Sequence, residues 1–103
     1  MTRILWSAPA VEQLELIRQP ELRRRVYRAI GGLARFPLRG RTPPEATRYP
    51  DLDFPSDLRE LVFPRLLRVF YRYDRKTDTV RILGMSFRGQ EVGADWLSRL
   101  LES

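Results

Sequence analysis

Cysteine and histidine are both absent from this sequence of 103 residues. Their absence excludes disulfides, thiol catalysis, serine–histidine triads and zinc sites built from Cys and His. Acid–base chemistry would have to use Asp, Glu, Tyr, the single lysine Lys76 or an arginine in a perturbed environment. The composition makes an enzyme less expected without excluding one, and we expect no metal and no cofactor.

Long apolar runs are missing as well. No stretch approaches the ~20 apolar residues that cross a bilayer, and the apolar stretch at residues 4–6 is too short for a signal peptide. Only six residues are glycine and 43% are hydrophobic, so global disorder is not expected. We expect a single domain over residues 1–103, cytoplasmic and without membrane contact.

Lysine is nearly absent although the chain is basic. Eighteen of the nineteen basic residues are arginine, and the net charge is +6. Two explanations stay open: a coding bias toward arginine, or a use of guanidinium forks to bind phosphates and carboxylates. Either way, so small a basic protein favours an acidic partner, which is nucleic acid or protein.

The residue pattern predicts an α+β fold. An N-terminal strand precedes an antiparallel helix hairpin; three antiparallel strands then join the first strand in one sheet, and a short helix ends the chain. The predicted spans are a strand over 2–6, a helix over about 10–18, a second helix from 20, strands within 58–74 and 79–85, and a helix within 92–101. Gly31 and Gly32 either lie inside the second helix or end it.

Six of the eight prolines fall within residues 36–64, which predicts a long irregular connection. The prolines limit its freedom in the unfolded chain, so it can be ordered without regular structure. Whether it is a binding loop or only a crossing segment stays open.

Residues 58–74 read as two strands with a short connection at Pro64-Arg65, rich in the β-branched and aromatic residues that suit a half-buried sheet. In the second strand, alternation assigns the residues to a core face and a mixed face that carries two arginines: Leu67, Val69, Tyr71 and Tyr73, against Leu66, Arg68, Phe70 and Arg72. The face of Arg81 depends on the register of the next hairpin. The arginines within residues 23–28 are expected to form a solvated helix face, because consecutive helical positions diverge.

In order and spacing, the chain resembles the RelE/ParE superfamily of toxins from type II toxin–antitoxin pairs. The segments that carry the resemblance are residues 4–14, Phe36-Pro37, Leu58-Arg59-Glu60-Leu61 and residues 67–74, which parallel the family's "R-E-L … Y-R-V-x-Y-R" signature. Leu67 stands where that signature has its first tyrosine. The resemblance implies a growth-inhibiting toxin, associated with plasmid stabilisation, that a cognate, acidic and partly disordered antitoxin neutralises.

The resemblance also assigns residue roles. In the mRNA-cleaving members, the arginine matching Arg68 stabilises the cleaved phosphate, the place of Arg59 often holds lysine, and Arg88 lies near a basic residue that ends the last strand. Residues expected to bind the target or the antitoxin are Arg59, Arg68, Arg72, Arg81 and Arg88.

The tail departs from the nuclease pattern, because no tyrosine follows Tyr73 and residues 89–96 supply neither tyrosine nor histidine. Glu60 and Glu91 are candidate bases, but Glu60 is expected to pair with a nearby arginine. This departure favours the ParE-like branch, whose members inhibit DNA gyrase. The alternatives are a RelE-like, ribosome-dependent mRNA endonuclease and a non-toxic basic module that binds nucleic acid.

Overall fold

The computed structural model describes residues 1–102. Its elements, in chain order, are β1 (Arg3–Trp6), α1 (Ala8–Glu15), α2 (Pro20–Gly31), a 3₁₀ turn (Gly32–Ala34), α3 (Glu45–Arg48), β2 (Leu58–Phe63), β3 (Leu67–Asp74), β4 (Thr79–Phe87) and α4 (Ala94–Leu101). None of the helices in this part of the chain is long and apolar enough to cross a membrane.

The four strands form one mixed sheet in the order β1-β4-β3-β2. β2, β3 and β4 are an antiparallel meander, and β1 joins it by pairing in parallel with β4. The predicted α+β architecture is thereby confirmed, including the placement of the N-terminal strand in the same sheet as the meander.

The ends of the helices follow from local chemistry. Ser7 caps α1, because its hydroxyl oxygen accepts a hydrogen bond from the Ala10 N–H at 3.2 Å. The prediction that this helix runs to about residue 18 was wrong: it ends at Glu15, and Ile17 N–H bonds instead to Leu14 O at 3.2 Å in a tighter turn. The approach of Pro20 disfavours further helical residues.

The structure also defines where α2 ends and what the proline-rich connection contains. α2 ends at Gly31, which is the second of the two alternatives, and the chain continues through one 3₁₀ turn. The proline-rich connection is not irregular throughout, because it contains the four-residue helix α3 at Glu45–Arg48. Proline is tolerated in the first turn of a helix, so Pro43-Pro44 can precede this one.

Both faces of the sheet are covered. On the first face, buried side chains of β3 and β4 pack against Ala10, Val26, Ile30 and Leu33 of the N-terminal helices and the 3₁₀ turn. On the second face, Phe70 and Leu83 pack against Leu97 and Leu100 of α4. The C-terminal helix therefore covers the second face of the sheet.

A β-bulge offsets the pairing of β3 and β4 between Phe70 and Tyr71. Beside it, Gln13 of α1 accepts a hydrogen bond from Met85 N–H at 2.6 Å, on a part of β4 that extends beyond its pairing with β1. A Cβ at Gly84 would lie 2.5 Å from Leu100 Cδ1 and 2.8 Å from Gln13 Oε1, so a larger residue there would force these side chains to shift. Side chains of α1 and α4 thus both contact β4 beside the bulge.

Candidate functional site

The arginine at the centre of the family-like signature is enclosed by two carboxylates. Arg68 lies on β3, on the second face of the sheet, and its Nε donates to Glu60 Oε2 at 2.6 Å. Its two terminal nitrogens donate to the two carboxylate oxygens of Glu45, at 3.0 Å and 2.6 Å. The guanidinium also lies 4.8 Å from the centre of the Phe70 ring. Its donors therefore already have anionic partners.

The carboxylates of this network are buried. The side chains of Glu45 and Glu60 are 4% and 0% exposed, and that of Arg68 is 22% exposed. Burial tends to raise the pKa of Glu45, but the hydrogen bonds and charge of Arg68 outweigh it, so this pKa lies below its ordinary value. Burial likewise opposes the charge of Arg68, yet Glu45 and Glu60 raise its pKa above normal. The Arg68–Glu45 pair is thus ionised at neutral pH.

The proline-rich segment contributes Arg41 and Glu45 to the network, because it is held against the edge of β2. Arg41 and Glu60 form an antiparallel bridge, with Arg41 N–H to Glu60 O at 3.0 Å and Glu60 N–H to Arg41 O at 2.8 Å. The Arg41 Nε also donates to Glu60 Oε1 at 2.9 Å. The expectation that Glu60 pairs with a nearby arginine is confirmed, with two arginines in place of one.

Glu45 is the residue that sequence reasoning missed. It is the only acidic residue between positions 37 and 50, among three arginines. That isolation, just after Pro43-Pro44, was the available signal, since a carboxylate is favoured in the first turn of a helix. Asp57 was also missed; its Oδ1 accepts from Arg72 Nε at 3.0 Å.

Arg81 shares the face of Arg68 and Arg72. The β3–β4 register places Arg72 directly opposite Arg81, which answers the question that alternation alone left open. Arg81 is exposed and has no ion pair among residues 1–102. Arg3 and Arg81 line a groove of about 450 Å³ with the Arg72–Asp57 pair.

Arg59 lies on the opposite face of the sheet. Its cross-strand partner is Tyr71, and its guanidinium donates to the carbonyls of Gly40 at 2.7 Å and Leu38 at 3.3 Å. Arg88 follows β4 in an exposed turn and lines a groove of about 260 Å³ with Arg68. The structure therefore brings Arg68 and Arg88 to one groove and separates both from Arg59.

No protein-family model matches this sequence, and no curated protein matches it. Solved structures do match. The isolated E. coli RelE toxin aligns over 99% of this chain and 98% of its own, with a TM-score of 0.64 at 8% identity. The chain has the RelE toxin fold.

Two toxin–antitoxin complexes contain chains of the same fold. A chain of the RelBE2 complex from Mycobacterium tuberculosis covers 86% of this chain and 93% of its own, with a TM-score of 0.63 at 24% identity. A chain of the intact E. coli RelBE complex covers 88% and 100%, with a TM-score of 0.63 at 11% identity. The resemblance seen in the sequence is confirmed at the level of the RelE fold.

Within this RelE fold, the candidate bases differ in their surroundings. Glu60 is buried and bonded to two arginines, whereas Glu91 is exposed just before α4. The hydroxyl of Tyr71 accepts from Gly40 N–H and donates to Pro37 O, and burial raises the pKa of this tyrosine. Among residues 1–102, no three acidic, cysteine or histidine side chains are grouped to hold a metal ion.

Proposed function

We propose that this chain is the toxin of a type II toxin–antitoxin pair and that it arrests growth by binding DNA gyrase, without cleaving RNA. The RelE toxin fold, which extends over nearly the whole chain, supports the toxin assignment. The observation that carries the non-nucleolytic mode is the engagement of Arg68 by Glu45 and Glu60.

Cleavage of a phosphodiester through the 2′-hydroxyl needs a proton acceptor, a proton donor and a group that stabilises the phosphate charge. Arg68 would have to give up two buried carboxylates to bind a phosphate; Glu45 would then be buried without its hydrogen-bonded partner, and Glu60 would keep Arg41 alone. Arg59 projects from the other face, and Glu60 is bonded to two arginines. Arg59, Glu60 and Arg68 are therefore better suited to stabilising the fold than to phosphate chemistry.

A cognate antitoxin is the proposed protein partner. The chain carries a net charge of +6, and its arginines are distributed over several faces. A flexible acidic segment that folds on binding would be attracted by this charge and would order itself against the surface. Two of the similar solved structures are described as toxin–antitoxin complexes, which supports a partner of this kind.

The second candidate function is ribosome-dependent mRNA cleavage. Two observations favour it: the similar isolated protein is a RelE toxin, and Arg88 lines the groove of about 260 Å³ beside Arg68. Arg65 lines the same groove and, like Arg88, has no ion pair within residues 1–102. In this mode Arg65 and Arg88 would contact phosphate while Arg68 stayed paired.

A non-toxic module that stacks bases on the strand aromatics is less well supported. Phe70 and Tyr71 are both 0% exposed, so neither ring offers a face to a base. They act as core residues on the two sides of the sheet.

Controlled expression in a bacterial host tests the proposal. We expect growth arrest on induction, and relief when an acidic antitoxin-like reading frame beside the gene is co-expressed. Primer extension on cellular mRNA after induction separates the two modes, because an endonuclease leaves new 5′ ends. Normal growth on induction would contradict the toxin assignment, and arrest with new cuts in translated mRNA would replace gyrase binding by the second candidate.

A further inference from the structure

An exposed apolar ridge lies at the start of the proline-rich segment, just after the 3₁₀ turn. We define the Phe36 ridge as Phe36, Pro37 and Leu38; the first and last are 63% and 44% exposed. Neither of these side chains belongs to either of the two hydrophobic cores. Large apolar side chains grouped on a surface often mark a site of interaction.

The ridge is held in place from below. The Tyr71 hydroxyl accepts from Gly40 N–H at 2.8 Å and donates to Pro37 O at 2.9 Å, while Arg59 donates to Gly40 O at 2.7 Å. Two neighbouring strands thereby fix the backbone that carries the apolar side chains. A surface fixed in advance loses little conformational entropy when it binds, which favours affinity.

Gly40 is required for this arrangement. A Cβ on Gly40 would lie 2.6 Å from both Glu60 O and the Tyr71 hydroxyl. The backbone at Gly40 therefore lies directly on the sheet, and the exposed ridge immediately precedes this contact in the chain. The exposure of Phe36 and Leu38 is thus built into the fold.

Arginines surround the ridge. A groove of about 900 Å³ runs between it and Tyr73, and its other lining residues are Arg35, Arg39 and Arg75. None of these three arginines has an ion pair within residues 1–102. A second groove of about 550 Å³ shares Leu38, Tyr73 and Arg75 with the first and extends to Lys76. The rim of the first groove is basic, whereas the second groove is of mixed charge because Asp57 and Asp74 also line it.

We propose that the Phe36 ridge and the groove of about 900 Å³ beside it bind an acidic, amphipathic segment of another protein. Apolar side chains of that segment would cover Phe36 and Leu38, and its carboxylates would pair with Arg35, Arg39 and Arg75. Guanidinium groups suit this role because they bind carboxylates in a two-point geometry. The inference does not depend on the toxin function, since it concerns binding alone.

Other occupants fit less well. Single-stranded nucleic acid prefers several exposed rings, whereas the residues that line the two grooves offer a single exposed ring, that of Phe36: Tyr73 packs against the core and its hydroxyl donates to Asp78. A second copy of this chain would bring two basic rims together, which like charges oppose.

Fluorescence anisotropy tests the proposal with a labelled peptide that alternates glutamate with leucine and phenylalanine. We expect saturable binding to the intact protein that weakens as salt is added. A peptide with the same glutamates and serine in place of its apolar residues should bind about tenfold more weakly or worse. Equal binding of the two peptides would overturn the proposal, because net charge alone would then explain it.

Paired variants locate the site. Phe36→Ser and Arg39→Glu should each weaken binding about tenfold, whereas Leu16→Ser and Arg24→Glu should leave it unchanged. Of the two controls, Leu16 directly follows α1 and is 68% exposed, and Arg24 is an exposed residue of α2. Equal losses of peptide affinity in the test pair and in the control pair would overturn the proposal. Tighter binding of oligouridylate than of the peptide would also overturn it. A concentration-dependent dimer lost in Phe36→Ser would assign the ridge to self-association and would overturn it too. Circular dichroism confirms that each variant is folded.

Discussion

Arg68 of β3 and Glu45 of α3 form a two-point ion pair, with nitrogen–oxygen distances of 3.0 Å and 2.6 Å, across 23 positions of the chain. The pair fastens a proline-rich segment to the centre of the sheet. It also removes from Arg68 the free guanidinium that the family resemblance associates with phosphate. Arg68 therefore acts first of all as a structural link between the proline-rich segment and the sheet, and not as a free ligand for a target.

Arg68→Ala should destabilise the protein strongly. The substitution leaves Glu45 buried without its hydrogen-bonded partner and leaves Glu60 with Arg41 alone, which costs about 3 kcal/mol of unfolding free energy or more. The exposed Arg88 is the matched control, because Arg88→Ala removes a surface charge and should change stability by less than about 0.5 kcal/mol. Urea denaturation measures both. Equal stability of the two variants would show that the network contributes little.

Acid should weaken the same link. The pKa of Glu45 is lower in the folded protein than its ordinary value of 4.5, so its stabilising effect is complete above that pH and is lost as pH falls through the folded-state pKa. Glu45→Gln should lack the loss of stability that comes from protonating Glu45. At about pH 7 its free energy of unfolding should be lower than that of the unaltered protein by roughly 1–3 kcal/mol. Urea midpoints measured at neutral pH and below pH 4.5 check the difference. An unchanged pH profile in the variant would contradict the pairing.

Gly40→Ala should be disruptive where Gly31→Ala is not. A Cβ at Gly40 would collide with Glu60 O and Tyr71, and such overpacking costs about 1–3 kcal/mol. At Gly31, the last residue of α2, nothing lies within 4 Å of the added atom. There alanine should be neutral or add up to about 1 kcal/mol through its helix propensity. Thermal unfolding of both variants tests the contrast, and similar melting temperatures would contradict it.

Arg81→Glu should stabilise the fold and reduce function. Arg81 lies directly opposite Arg72, and replacing two like charges with an opposite pair contributes about 0.2–1 kcal/mol. If Arg81 also docks a target or an antitoxin, growth arrest or antitoxin affinity should fall at the same time. Denaturation and an induction assay measure the two effects, with Arg24→Glu as the exposed control. Full toxicity in a stabilised variant would remove Arg81 from the docking residues.

Most of the fold was predictable because its signals are local. The alternation of residues 67–73 and the apolar stripe of α2 each specify an element without reference to the rest of the chain. The boundaries near Gly31 and Glu15 were less certain, since a helix end depends on which carbonyls find partners in a tighter turn.

The site was harder to predict because its arrangement depends on register and on distant contacts. Arg59 and Arg68 belong to one sequence signature, yet the β2–β3 pairing places them on opposite faces. Glu45 lies in a segment with little periodicity, and only the folded chain shows that it reaches Arg68. Charge patterns could suggest that a strand arginine needs a partner, but they could not say which carboxylate supplies it.

A supercoiling assay tests directly whether this protein inhibits DNA gyrase. Purified gyrase is given relaxed plasmid and ATP, with increasing amounts of this protein, and the topoisomers are separated on a gel. We predict that supercoiling falls as the dose of this protein rises and that the antitoxin restores it. Ribosome-bound mRNA exposed to the same protein should stay intact. Unaffected supercoiling together with cleaved mRNA would contradict it and would establish the nuclease instead.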